Sequence, residues 1–115
     1  MYQFSYAEIL EDAPEIGRER ERAAFDRAID LMKIAQRSDA SRADRETAVS
    51  FLQNLWVVLI DDLRNAENAL PETLRADLVS IGLWSMREAG EVLRTPEHSL
   101  AALIEVNTSI RDGLR

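Results

Sequence analysis

The sequence predicts an all-α protein: a small bundle of four main helices in up-and-down order, with a short helix in front. Three observations carry this. Apolar residues recur at i, i+3, i+4 and i+7 in four separate stretches, the spacing of one face of an α-helix. Only four Gly and three Pro occur in 115 residues, too few for the turns of a many-stranded β fold. Helix start and stop residues flank the stretches.

Residues 1–13 open with aromatics at alternate positions, Tyr2, Phe4 and Tyr6, which suggests an extended start. Ser5 and Glu8 then have the spacing of a capping box, and Phe4 and Ile9 that of a hydrophobic staple. A short helix from Tyr6 to about Asp12 follows, ended by the restriction that Pro14 places on its predecessor. No other segment reads as a strand.

The first main helix runs from Pro14 to about Arg37, with Ala24, Phe25, Ala28, Ile29, Leu31, Met32 and Ala35 as its stripe. Its first half, Glu15 to Arg22, alternates acid and base and reads as a solvated, charge-paired surface. Ser41 is the N-cap of the second helix, about 42–65. Apolar positions there, from Ala48 through Phe51, Leu55, Trp56, Val58 and Ile60 to Leu63, cover over half of the wheel, which marks it as the most buried helix. The third helix begins with Pro71 at N1 and extends to about Arg94, with Leu74, Leu78, Ile81, Gly82, Ala89 and Leu93 as its stripe. The fourth begins between Pro96 and Ser99 and runs to about Asp112, with Leu100, Leu103, Ile104, Asn107 and Ile110 inward and Gly113 as C-cap. Short connections make sequential helices antiparallel neighbours. Length and continuity predict a single helical domain over 1–115.

Net charge is −7, and no segment of the chain is strongly basic, so direct nucleic-acid binding is not expected. The longest apolar run, Leu55 to Ile60, is far too short to span a bilayer, and the acidic N-terminus is unlike a signal peptide; no membrane insertion and a cytoplasmic location are expected. Cysteine is absent and His98 is the single histidine, which excludes thiolate chemistry and Cys- or two-His metal sites. His98 reads as an exposed loop or first-turn residue. Asp26 and Asp30 share a face beside Arg27 and Lys33 and read as solvated. Gly17, Gly82, Gly90 and Gly113 are isolated and form no phosphate loop. No catalytic, cofactor or metal residue is assigned.

Trp56 reads as core. Trp84 lies off its helix's stripe, so it packs under a neighbour or presents an aromatic anchor. Gly82 serves a close helix approach or is merely tolerated. Asn107 reads as an edge residue, with a buried register-fixing role as the alternative. The candidate partner-binding residues are Tyr2, Phe4, Tyr6 and Trp84.

Three blocks together, Met1 to Glu8, Leu70 to Trp84 and Leu103 to Leu114, resemble in order the alphaproteobacterial family of the flagellar biosynthesis regulator FlaF. The resemblance spans essentially the whole chain. It implies a non-enzymatic factor of flagellum biogenesis that binds flagellin in a chaperone-like role and couples flagellin synthesis to secretion. It also implies action alongside the regulator FlbT. The alternative is post-transcriptional control of flagellin message, directly or through FlbT.

Overall fold

Four helices fill residues 14–113, which the computed structural model describes, with side chains from Glu19 onward. They are α1 (Pro14–Ala35), α2 (Arg42–Leu63), α3 (Glu72–Arg94) and α4 (Ala101–Gly113), with no strand among the described residues. The predicted leading helix lies outside them. The all-α bundle is as the periodicity predicts.

Local chemistry sets the ends. Ser41 Oγ accepts from Asp44 N at 3.0 Å while Asp44 Oδ2 accepts from Ser41 N at 2.9 Å, a reciprocal capping box that satisfies two orphan donors. α1 ends at Ala35 and α2 at Leu63, each about two residues short of the sequence expectation. Pro71 stands at the N-cap of α3 rather than at N1. α4 starts at Ala101, later than expected, because the preceding residues are held otherwise. Ser99 Oγ accepts from Ala101 N at 3.0 Å, and Leu100 N donates to Gln36 Oε1 of the α1–α2 connection at 2.7 Å. The described part of α4 reaches Gly113, and the residues after it lie outside the described ones.

α2 and α3 terminate each other. Arg45, in the first turn of α2, donates to Val92 O at 2.6 Å and Thr95 O at 3.3 Å, carbonyls at the end of α3. Arg75, in the first turn of α3, donates to Leu63 O at 3.3 Å and Leu70 O at 3.1 Å, at and beyond the end of α2. Each guanidinium supplies donors to carbonyls that the helix itself leaves unpaired.

The α2–α3 pair packs most extensively, and α1 packs on α2 and on α4. Of the three sequential pairs, α3 and α4 touch least. The expectation that all sequential helices are close neighbours therefore fails at the last step. Two ties draw α4 toward α1: Arg111 Nη1 to Asp26 Oδ1 at 2.8 Å near one end, and, just outside the two helices, Leu100 N to Gln36 Oε1 at the other.

The core is centred on α2, as expected, with Ala48, Val49, Leu52, Trp56 and Leu59 packed on Phe25, Ala28, Ile29 and Met32 of α1. Val58 was grouped with that stripe and is 65% exposed, because an apolar arc wider than half a wheel exceeds what the flanking helices cover. The buried line of α3 is Gly82, Ser85, Ala89 and Val92. Gly82 and Ala89 of the expected stripe lie on it, but Leu74 is 43% exposed, and Ser85 and Val92 complete the line that packs.

Candidate functional site

A polar centre lies inside the apolar core. Trp56 Nε1 donates to Asn107 Oδ1 at 2.8 Å. Asn107 Nδ2 donates to Leu103 O at 2.9 Å and to Ser85 Oγ at 3.4 Å. Asn107 and Ser85 are fully buried, so the edge reading of Asn107 is corrected. Its amide is satisfied across α2, α3 and α4, as a buried polar group must be. Phe25 of α1 meets the Trp56 ring edge to face, centroids 5.7 Å apart and planes at 80°. A Cβ on Gly82 would sit 2.9 Å from Trp56 Cζ3, closer still to Cε3, and 3.0 Å from Ile60 Cδ1. Gly82 therefore serves a close approach. This layer joins all four helices and contains no nucleophile or titrating group.

One turn from Phe25 toward the start of α1 lies Glu21. It is 6% exposed, and neither carboxylate oxygen has a hydrogen-bond partner. The reading of 15–22 as wholly solvated is corrected at this position. Burial pushes its pKa up to about 12, and the charge of Asp62 on α2 acts in the same direction. Glu21 is thus a neutral acid at physiological pH. Its signal in the sequence was its spacing: 21, 25, 28 and 32 form one inward line, and the alternation of charge around it masked that line.

At the same end of the bundle, the side of α3 toward α4 carries Leu74, Leu78, Ile81 and Trp84. The register follows from Ser85, which reaches Asn107, and from Glu88, which reaches His98. Leu78, Ile81 and Trp84 are half-buried, with Ile81 and Trp84 lying against the core. Trp84 thus packs under its neighbours, as one of its two sequence readings has it, while staying partly accessible. Of the other candidate anchors, Tyr2, Phe4 and Tyr6 lie outside the described residues.

The opposite end is closed by polar ties. His98 Nε2 and Glu88 Oε2 are 2.8 Å apart and both half-buried, which corrects the exposed reading of His98. Its backbone carbonyl accepts from Arg45 at 3.4 Å. Away from this end Asp26, exposed to solvent as expected, also pairs with Arg111. A space of about 310 Å³ beside Arg37, Arg42 and Arg45 opens here. Arg45 is committed to carbonyls and Arg42 to Glu46 at 3.1 Å. No group of three or more His, Cys, Asp or Glu able to hold a metal occurs among the described residues. No helix there is long and apolar enough to cross a membrane.

Comparison with known proteins found no match among curated proteins and none among solved structures. The family model described as "Flagellar protein FlaF" matches residues 2–114, nearly the whole sequence. The chain belongs to the FlaF family of flagellar proteins.

Proposed function

We propose that this protein binds flagellin directly, holds it in an export-competent form and thereby couples flagellin synthesis to secretion, acting in the cytoplasm without catalysing a reaction. Membership of a flagellar family supports the setting. The observation that carries the mechanism is the uncovered apolar line of α3, with Leu74 43% exposed and Trp84 half-buried beside it. Aromatic and aliphatic residues of this kind anchor helices laid into grooves. Two arginines that could have gripped phosphate are instead engaged with backbone carbonyls, Arg45 and Arg75, which favours an apolar partner over a nucleic acid.

Calorimetry with purified, export-competent flagellin tests this. Association at concentrations up to about 50 μM is expected, with little loss on raising salt, because apolar burial and not ion release drives it. No association under those conditions overturns direct binding and shifts the role to control through FlbT. Sub-micromolar, salt-sensitive binding of the isolated protein to flagellin message overturns the preference for protein over RNA.

A further inference from the structure

At one end of the bundle no described helix stands at the fourth corner. Arg111 pairs with Asp26, and Leu100 N donates to Gln36, so α4 runs antiparallel to α1. In that register Gly113 stands level with Ala23 and Ala24 of α1. The contacts of Asn107 with Ser85 and of His98 with Glu88 set Gly113 level with Val79 of α3. Beyond that level α1 continues for about ten residues, roughly 15 Å, and α3 for about seven, roughly 10 Å. The last turn of α2 lies there too, since Arg75 reaches Leu63 O.

The interior at this end is nonetheless closed. Glu21, on the inward line of α1 one turn before Phe25, is 6% exposed. Leu78 and Ile81, on the side of α3 that carries Ser85, are half-buried, as is Arg22 on the side of α1 that carries Asp26. Leu74, farther out on the same side of α3, is exposed.

The chain before Pro14 has the length, direction and chemistry to stand at that corner. α1 begins at the outer limit of the overhang, and a proline disfavours helical backbone in the residue before it. The segment is therefore expected to turn off the axis of α1 instead of prolonging it. A helix from Tyr6 to Asp12 is about 10 Å long, the distance by which α3 outruns α4. Tyr2, Phe4, Tyr6, Ile9 and Leu10 need an apolar surface that so short a segment does not supply itself. Its charges are Glu8, Glu11 and Asp12, with no Lys or Arg. The α1 overhang carries Arg18, Arg20 and Arg22 against the acids Glu15 and Glu19, with Glu21 neutral. The cationic charge that opposes burial at Glu21 is the chain's own amino terminus, so this acid senses the far end of the same segment.

We propose that residues 1–13 fold back from Pro14 along α1 and stand at the fourth corner beyond α4, with Phe4, Tyr6 and Ile9 covering Leu78 and Ile81 and closing the interior over Glu21. Leu74 stays open at the rim. A flagellin helix laid along the line from Leu74 to Trp84 must then displace the segment, a consequence that rests on the reading of flagellin as the client.

Hydrogen exchange of the full chain tests the docking without flagellin. Amides of residues 7–12 should exchange at least about tenfold more slowly than in free peptide, at every protein concentration. Phe4→Asp and Leu78→Asp strike the contact from its two sides, and each should abolish that protection while the α2 amides keep theirs. Val58→Asp, on the outward face of α2 opposite Trp56, should leave it in place. If Leu78→Asp lowers α2 protection, Leu78→Ala takes its place and should speed exchange at 7–12 alone. Free-peptide rates in the wild type overturn the proposal. So does protection that survives substitution at Leu78, which means the segment docks elsewhere. Protection that grows with concentration assigns the cover to a second copy and overturns it too.

Calorimetry with flagellin reads the consequence. Phe4→Asp should bind about tenfold more tightly than the wild type, because no cover has to be displaced. Equal or weaker binding overturns the displacement. No binding by either protein overturns the client reading alone, since exchange decides the docking by itself.

Discussion

Trp56 donates one hydrogen bond inside the core and touches neighbours on each of the other helices. Replacing it by Phe leaves Asn107 Oδ1 buried without its donor and opens a cavity; a loss of about 3 kcal/mol is expected in denaturant unfolding. Gly82→Ala tests the same contact from the other side. Helix propensity alone would favour Ala by about 1 kcal/mol, but the new methyl meets the indole, so a net loss of about 1–3 kcal/mol is expected. Trp56 was legible as core from its periodicity, and Gly82 as a possible close approach. Asn107 was legible only as the second of two readings, and Glu21 was not legible, because a spacing argument treats a polar residue on an inward position as an interruption. Glu21 also has a pH signature. Its folded pKa lies far above the ordinary 4.5, so the folded chain keeps a proton that the unfolded chain gives up. Its contribution is therefore most favourable below about pH 4.5 and is lost progressively as pH rises from there toward about 12. Glu21→Leu should remove that slope and stabilise the protein by about 1–3 kcal/mol near pH 7, read as a higher melting temperature.

At the scale of elements, the α2–α3 pair is tied by two arginines working in opposite directions. Arg45→Met keeps the aliphatic stem and removes the donors to Val92 and Thr95, so the last turn of α3 should fray, with faster amide exchange at residues 92–95. Ser41→Ala breaks the capping box and should cost about 0.5–2 kcal/mol. The cap at Ser41 was legible because a hydroxyl before a helical stretch satisfies donors within its own residues. The arginine ties were not legible, since Arg45 meets carbonyls some fifty positions away. The stripe of α3 failed for a related reason. Gly82 and Ala89 were read on the line that packs, but Ser85 was overlooked there because it is small and polar, and the bulky Leu74 was drawn onto it instead.

For the molecule as a whole, the number, order and approximate limits of the four main helices were legible among the described residues. Gly and Pro scarcity and the 3.6-residue period are local properties of sequence. What eluded that reading is which helices adjoin, because short connections constrain direction and not contact area. A strongly helical far-UV circular dichroism spectrum and one cooperative thermal transition, followed also by near-UV signal, are expected for a single folding unit. Separate transitions for the two probes would show that the helices melt as independent parts. The candidate site was legible only at Trp84, since the significance of Leu74 lies in the absence of a neighbour over it, and absence leaves no mark on spacing.

The attachment of α4 to α1 has a kinetic meaning. Its two fastenings join residues 64 and 85 positions apart, whereas α2 and α3 can zip together across an eight-residue connection. Closing the larger loop carries the greater entropic barrier, so the α2–α3 hairpin assembles first and α4 arrives last. The reverse order holds for opening: α4 detaches before the hairpin parts. Native-state hydrogen exchange should then find α4 amides released at a lower free energy than those of α2, with denaturant sensitivity matching the undocking of a single short helix. Each such departure would bare Trp56 and Ser85 to water together, so the same fluctuation that exposes the last helix also unlocks the indole at the centre.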